Sequence, residues 1–178
     1  MNVITAPDSL DDLNLIQNSV SVFLAGGITN CPEWQTDVIG RLRNLEGGTP
    51  LTVYNPRRAN FPIGNPDAAE QQITWEFNAL DMCNIFSMWF CNAPSDQPIC
   101  MYELGRNVAT MYLEGAEEYI CVGIEPGYKR ECDVRKQLEL ALPDIETKIA
   151  TTIEEHANNI ILGARLWNQE LIQPLMWE

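Results

Sequence analysis

The chain has 178 residues, enough for one domain with a full hydrophobic core. Its 25 acidic residues outnumber 11 basic ones, for a formal net charge of -14. That charge repels phosphate backbones, and the basic residues come at most in adjacent pairs such as Arg57-Arg58 and Lys129-Arg130, so nucleic-acid binding is not expected. No apolar run approaches the roughly 20 residues of a membrane span, so no membrane partner is expected, and the N-terminus lacks the pattern of a signal peptide. Of the six cysteines, Cys83, Cys91, Cys100 and Cys121 lie in or beside apolar runs and read as small buried hydrophobes. There is no Cys-x-x-Cys and His156 is the single histidine, so no metal site is expected, and a reducing, cytoplasmic compartment is the simpler setting.

In chain order, residues 1–19 are polar and uneven and read as a surface lead-in with a short helix around Ser9–Ile16. Val20–Ala25 is a short apolar run ending at Gly26-Gly27, which predicts a buried strand and a tight turn. Pro32 suits a first helical turn, capped near Asn30 or Cys31 and running to about Leu45. Leu51–Tyr54 predicts a second strand, cut off by Asn55-Pro56. The three prolines of Pro56–Asp67 predict a structured loop. A helix over Ala68–Met82, a central strand over Ile85–Phe90 and a loop over Asn92–Gln97 follow, and Pro98 opens a helix to about Leu113. Tyr119–Gly123 predicts a fourth strand, Glu131–Leu140 and Asp144–Leu162 two more helices, and Arg165–Glu178 a docked tail carrying Trp167 and Trp177. Short apolar strands alternating with amphipathic helices predict an α/β fold in a single domain, a parallel sheet with helices on both faces. Its strand carboxyl ends, with the Gly26-Gly27, Asn55-Pro56 and Cys91–Gln97 turns, converge where such sheets place their ligands.

Two carboxylates stand out against this frame. With Ala69, Ile73, Phe77 and Leu80 drawn as the inward stripe of the 68–82 helix, Glu76 falls on that stripe. A carboxylate there must be paired, hydrogen-bonded or exposed in a cleft; the alternative is that the stripe is narrower and Glu76 sits at its wet edge. Glu103 lies early in the helix opened by Pro98, where the helix N-terminus favours an anion and would keep it ionised. Dipole complementarity alone would explain an acid there. Gly105 leaves room for close approach by a ligand or another backbone. Gly26-Gly27 could cradle a phosphate or sugar through backbone N–H groups, without the full Gly-x-Gly-x-x-Gly pattern. Arg57 and Arg58 could clamp a phosphate or balance nearby acids. Trp34, Trp75 and Trp89 are candidates for a base pocket, with core packing as the alternative. His156, on an expected surface helix, reads as structural or solvated.

These pieces, in this order, resemble the nucleoside 2-deoxyribosyltransferase family, in particular its branch of short deoxyribosyltransferase-like proteins. The resemblance rests on Val22–Ile28 (VFLAGGI), Trp34-Gln35, Tyr54–Arg58 (YNPRR), Gln71–Asp81 (QQITWEFNALD), Ile85–Phe90 and Pro98–Gly105 (PICMYELG). It implies a Rossmann-like, flavodoxin-type sheet, a nucleoside or nucleotide substrate, no metal or organic cofactor, and a homo-oligomer in which a neighbour closes the active site. The glutamate of the family's Glu-hydrophobic-Gly motif, here Glu103, would attack the anomeric carbon. Glu76 matches the second acid, which assists at the nucleobase, and Asp96 is the candidate for a further acid in the loop before the nucleophile. Substrate binding would fall to Gly26, Gly27, Asn55, Arg57, Arg58 and Trp75. The tail WNQELIQPLMWE does not match the family's carboxyl-end pattern clearly, so transfer and hydrolysis both remain open. The leading expectation is transfer of 2-deoxyribose between bases. The alternatives are N-glycoside hydrolysis of deoxynucleoside 5′-monophosphates and a nucleotide-sensing module without turnover.

Overall fold

The computed structural model describes residues 1–10, 19–45, 47–116, 119–143 and 148–172. Five strands, β1 (Asn2–Thr5), β2 (Val20–Gly26), β3 (Leu51–Asn55), β4 (Ile85–Phe90) and β5 (Ile120–Ile124), form one parallel sheet in the order β1-β3-β2-β4-β5. Five helices accompany them: α1 (Trp34–Leu45), α2 (Pro66–Met82), α3 (Pro98–Glu114), α4 (Glu131–Ala141) and α5 (Ile153–Ile172). The chain is thus the expected α/β fold. No described helix is long and apolar enough to cross a membrane.

The inner strands explain why their sequences are continuous apolar runs rather than alternating ones. Every residue of β4 and β5 is buried, as is all of β2 except Gly26, because helices cover both faces of the sheet. Val22 pairs between Val53 and Ile85, and Phe23 between Tyr54 and Phe86. Full burial of each such side chain is worth about 1.5–3 kcal/mol. Right-handed crossovers place α1 on one face and α2 and α3 on the other, and α5 returns to pack on α1 and on β5, β4 and β2.

Two boundaries differ from the sequence-based expectation. Residues 2–5 are not lead-in but an edge strand, registered Asn2 to Thr52 through Thr5 to Asn55; four β-branched or polar residues are too short a run to announce a strand, and the β3 edge supplies the reason for it. The proposed helix over Ser9–Ile16 lies, beyond Leu10, outside the described residues. The last helix starts at Ile153 and reaches Ile172, within the segment expected to be tail, and Trp167 packs edge-on against Tyr119 at 4.8 Å between ring centroids. Trp177 is outside the described residues.

The helix ends follow local chemistry. Asn65 caps α2, its side-chain oxygen accepting from the N–H groups of Asp67 (3.0 Å) and Ala68 (3.4 Å), with Pro66 at the first helical position. Helix α3 likewise opens on Pro98 and ends at Gly115, whose φ of 67° is the left-handed conformation that glycine tolerates best.

His156 points inward from α5 rather than to solvent. It is fully buried, its Nε2 is 2.8 Å from the hydroxyl of Ser87, and burial drives its pKa down to about 3, so it stays a neutral core residue. It packs against Trp89 at 5.4 Å between centroids. Gly123 makes this possible: a Cβ there would collide with the Trp89 ring and reach 3.0 Å from His156 Nδ1. Gly123→Ala is therefore expected to cost about 1–3 kcal/mol through overpacking, read as a lower urea midpoint; an unchanged midpoint would show that the Trp89–His156 packing has slack.

Candidate active site

β3 lies on one side of β2 and β4 on the other, so the chain reverses direction across the sheet at β2. In open α/β sheets such a reversal opens a crevice at the strand carboxyl ends. A cavity of about 250 Å³ occupies it, floored by Phe23 and Ala25. Gly26, Gly27, Ile28 and Thr29 from the segment after β2, and Pro56 after β3, form one wall. Ser95, Gln97, Pro98, Ile99, Cys100 and Glu103 form the other, and Glu76 enters from α2.

The segment after β2 is held by close packing and by one cation. A Cβ on Gly26, whose φ is 149°, would collide with the Trp89 carbonyl and the Trp34 ring, and one on Gly27 would sit 2.5 Å from Cys31 Sγ and 2.7 Å from Gln97 Oε1. Trp34 Nε1 donates to the Gly27 carbonyl at 2.9 Å. Arg57 Nη2 reaches the carbonyl oxygens of Gly27 (3.3 Å), Ile28 (3.2 Å), Cys31 (3.3 Å) and Pro32 (2.7 Å). Asn55 fixes the base of that arginine, its side-chain oxygen accepting from the Arg57 N–H at 3.1 Å. This capture explains why α1 begins at Trp34 rather than near Asn30 or Cys31: the carbonyls of Cys31 and Pro32 are turned to Arg57, and Asn30 adopts a left-handed φ of 57°. Arg58 turns the other way, donating to Gln71 Oε1 at 3.1 Å and lying 5.6 Å from the centroid of Phe61.

Helix α2 buries Ala68, Trp75, Ala79 and Leu80, while Ile73 and Phe77 are 66% and 54% exposed. The inward stripe is thus rotated from the one drawn through Ile73 and Phe77. The rotation places Gln72 and Glu76 at the flank of the buried face, with Glu76 against the cavity. Trp75 packs near Phe23 and Tyr54 and donates from Nε1 to the Asp8 carbonyl at 2.8 Å. It lies in the core behind the cavity, and neither it nor Trp34 or Trp89 lines it.

Glu103 comes five residues after Pro98, past the turn where the helix dipole acts. Burial decides its state instead, and with the nearby Glu76 it pushes the Glu103 carboxyl up to about 8, against a smaller opposing pull from Arg106. The helix start does not keep Glu103 ionised; burial outweighs it. Burial also raises Glu76, while Gln72 and Arg58 draw it back down. Arg106 is shared, lying 4.2 Å from the Phe77 centroid and 3.9 Å from Asp81 Oδ1. The result is two neighbouring carboxyls whose surroundings raise the proton affinity of both.

Asp96 stands apart from this pair. Its carboxylate is exposed, paired with the Lys129 ammonium and held below the usual range by it. Its neighbours Ser95 and Gln97 face the cavity instead. Gln97, which sequence reasoning passed over as loop, is 3% exposed, with Nε2 donating to the Cys91 carbonyl at 2.8 Å and a left-handed φ of 50°. Its only sequence signal is a polar residue immediately before the helix-opening Pro98. Gly105 opens onto an apolar groove between α3 and α4, not onto the cavity. Among the described residues, no group of three or more histidine, cysteine or acidic side chains is placed to hold a metal ion.

No curated protein matches the chain. A family model described as nucleoside 2-deoxyribosyltransferase like matches residues 19–114, which run from β2 to the end of α3 and carry every cavity-lining residue. That span, 96 of the 178 residues, joins the crevice and its two glutamates in one matched unit: the chain belongs to the nucleoside 2-deoxyribosyltransferase-like family.

Proposed function

We propose that this protein transfers 2-deoxyribose between nucleobases through a covalent ester between the sugar and Glu103. The observation that carries the reading is the pair Glu76 and Glu103, on different helices, lining one small cavity, each with its proton affinity raised. Cleaving an N-glycosidic bond needs one ionised carboxylate at the anomeric carbon and one proton for the leaving base, and the pair holds both. In the reaction the Glu103 proton passes to Glu76, and the Glu103 carboxylate attacks the anomeric carbon. The carbon–nitrogen bond breaks with its electron pair going to the base nitrogen, which takes the proton from Glu76. A second base attacks the same carbon, displaces Glu103 and returns a proton to the pair. The logic is that of a retaining glycosidase with a nitrogen nucleophile in place of water.

A neutral nucleoside suits this cavity better than its 5′-monophosphate. No lysine or arginine is among its lining residues, and the Arg57 guanidinium is engaged with four backbone carbonyls. Asn55 and Arg57 then act on substrate through the wall they hold, Gly26 and Gly27 through the shape of that wall, and Arg58 through its pull on Glu76. Trp75 would support the floor from behind, and Asp96 would act outside the first contact with substrate. The exposed apolar side chains of Ile99 and Tyr102 beside the cavity, with Ile73 and Phe77 on α2, support a homo-oligomer whose neighbour covers the mouth.

Incubation with a deoxynucleoside and a second free base, followed by chromatography, is expected to yield a new nucleoside. Free base alone would make the protein a hydrolase, and binding without products would make it a sensor. Glu103→Gln is expected to abolish turnover with the fold intact, and Glu76→Gln to lower kcat by about 10²–10⁴-fold, the usual worth of a positioned acid. A folded, active Glu103→Gln protein rules the assignment out.

The pair also sets pH dependence. Turnover is expected to fall as pH rises through about 8, where Glu103 loses the proton that the leaving base requires; a rate still rising beyond that point contradicts the shared-proton reading. For stability the sign is opposite to that of a paired carboxylate. The folded state binds the Glu103 proton up to about 8, whereas the unfolded chain releases it near 4.5, so this contribution is present below 4.5 and lost as pH rises to about 8. The melting temperature of Glu103→Gln, relative to the parent protein, is therefore expected to climb across this window, and a constant difference would refute it.

A further inference from the structure

Gln72 lies one turn before Glu76 on α2, and its amide nitrogen serves two acceptors at once: the Pro56 carbonyl oxygen at 2.7 Å and Glu76 Oε1 at 2.8 Å. A backbone carbonyl can only accept, so the amide cannot turn over without setting its own oxygen against that of Pro56. The other end of the amide makes the same point. Gln72 Oε1 is buried with no hydrogen-bond partner, an arrangement that persists because both acceptors claim the nitrogen. Gln72 therefore offers Glu76 a donor and nothing else, and a fixed donor favours the charged form of a carboxylate.

We propose that Gln72 is a positioning residue that fixes Glu76 as the ionised member of the glutamate pair and so leaves the site's single proton on Glu103. The surrounding charges agree. Glu76 faces Gln72 on its own helix, Arg58 from the segment after β3, and Glu103 from α3. Glu103 faces Glu76 across the cavity, with Arg106 and Cys100 on its own helix, and part of the Arg106 charge goes to Asp81 and Phe77. Burial is the largest influence at both carboxyls, and the groups that oppose it gather at Glu76, where Gln72 and Arg58 both act, while Glu103 has Arg106.

The inference rests on the proposed transfer reaction for its catalytic meaning: the empty enzyme keeps its nucleophile capped by a proton. A base arriving beside Glu76 makes that carboxylate the better proton carrier, and the proton crosses from the Glu103 O–H to a Glu76 oxygen with no other bond changed. Nucleophile and acid are then created together, when a substrate is present to use them. Without a base the capped carboxyl attacks nothing.

Carbon-13 NMR of the protein labelled at glutamate side-chain carboxyls tests this without substrate, so its outcome is independent of whether the protein turns anything over. Glu76→Gln and Glu103→Gln supply the assignments. At about pH 6.5 Glu76 is expected at its ionised position and Glu103 at its protonated one. In Gln72→Leu, or in Gln72→Met should the first variant fold poorly, the Glu103 titration is expected to move down by about one pH unit, the worth of one hydrogen bond to a charged group, while Glu76 takes up the proton. In the Glu76→Gln background the same Gln72 change is expected to leave the Glu103 curve in place, which a purely structural role for Gln72 would not produce. A proton found on Glu76 in the unaltered protein, or a Glu103 curve indifferent to Gln72 in the folded variant, overturns the proposal.

Discussion

Arg57 reaches from the turn after β3 across to the segment after β2 and places one guanidinium nitrogen among four carbonyl oxygens. Those carbonyls belong to a stretch that neither sheet nor helix organises, so without the arginine their orientation would fall to water. Several other features depend on this contact. The late start of α1, the seat of Trp34 against Gly27 and the wall presented to the ligand all assume that residues 27–32 are pinned. The cation also explains how a wall built from irregular backbone keeps a fixed shape.

Opposite that wall the governing effect is desolvation. Two carboxylates in water would both be charged at neutral pH; in a small crevice beside one another both are pushed toward the protonated form. Burial is the largest influence on both, and the surroundings differ in what opposes it, Arg58 and the Gln72 amide at Glu76 and Arg106 at Glu103. Both glutamates of the crevice thereby gain proton affinity from their surroundings alone.

Much of the frame was legible in the sequence because its cause is local. β4 and β5 are read from unbroken apolar runs, α3 from Pro98, and the crevice from turns that all follow strands. What failed was what depends on a partner distant in the chain. β1 exists because β3 offers an edge, and His156 is a core residue because Ser87 and Gly123 make a place for it. The stripe of α2 was drawn through Ile73 and Phe77 because they are apolar, yet the helix turns Trp75 and Ala79 inward. The anomaly of Glu76 survived that error, since a carboxylate near either stripe needs an explanation. Its counterpart Glu103 was found by motif, but its protonation could not be, because the dipole is a property of one helix and burial a property of the whole crevice. Arg57 shows the same limit: a charge is visible in sequence, and the four carbonyls that consume it are not.

The close packing at Gly26 and Gly27 sets bounds on how this pocket can be altered. Neither position has space for even a methyl group, and each is hemmed by residues that also seat Trp34, Trp89 or Gln97. Variation at that wall would therefore disturb the foundation before it changed what the cavity accepts. Ile28, Thr29, Ser95 and Ile99 line the same space without being wedged into those contacts. Natural divergence or directed evolution of what the cavity accepts has its freedom there, so changes should gather on those four side chains while the glycines beside them stay as they are.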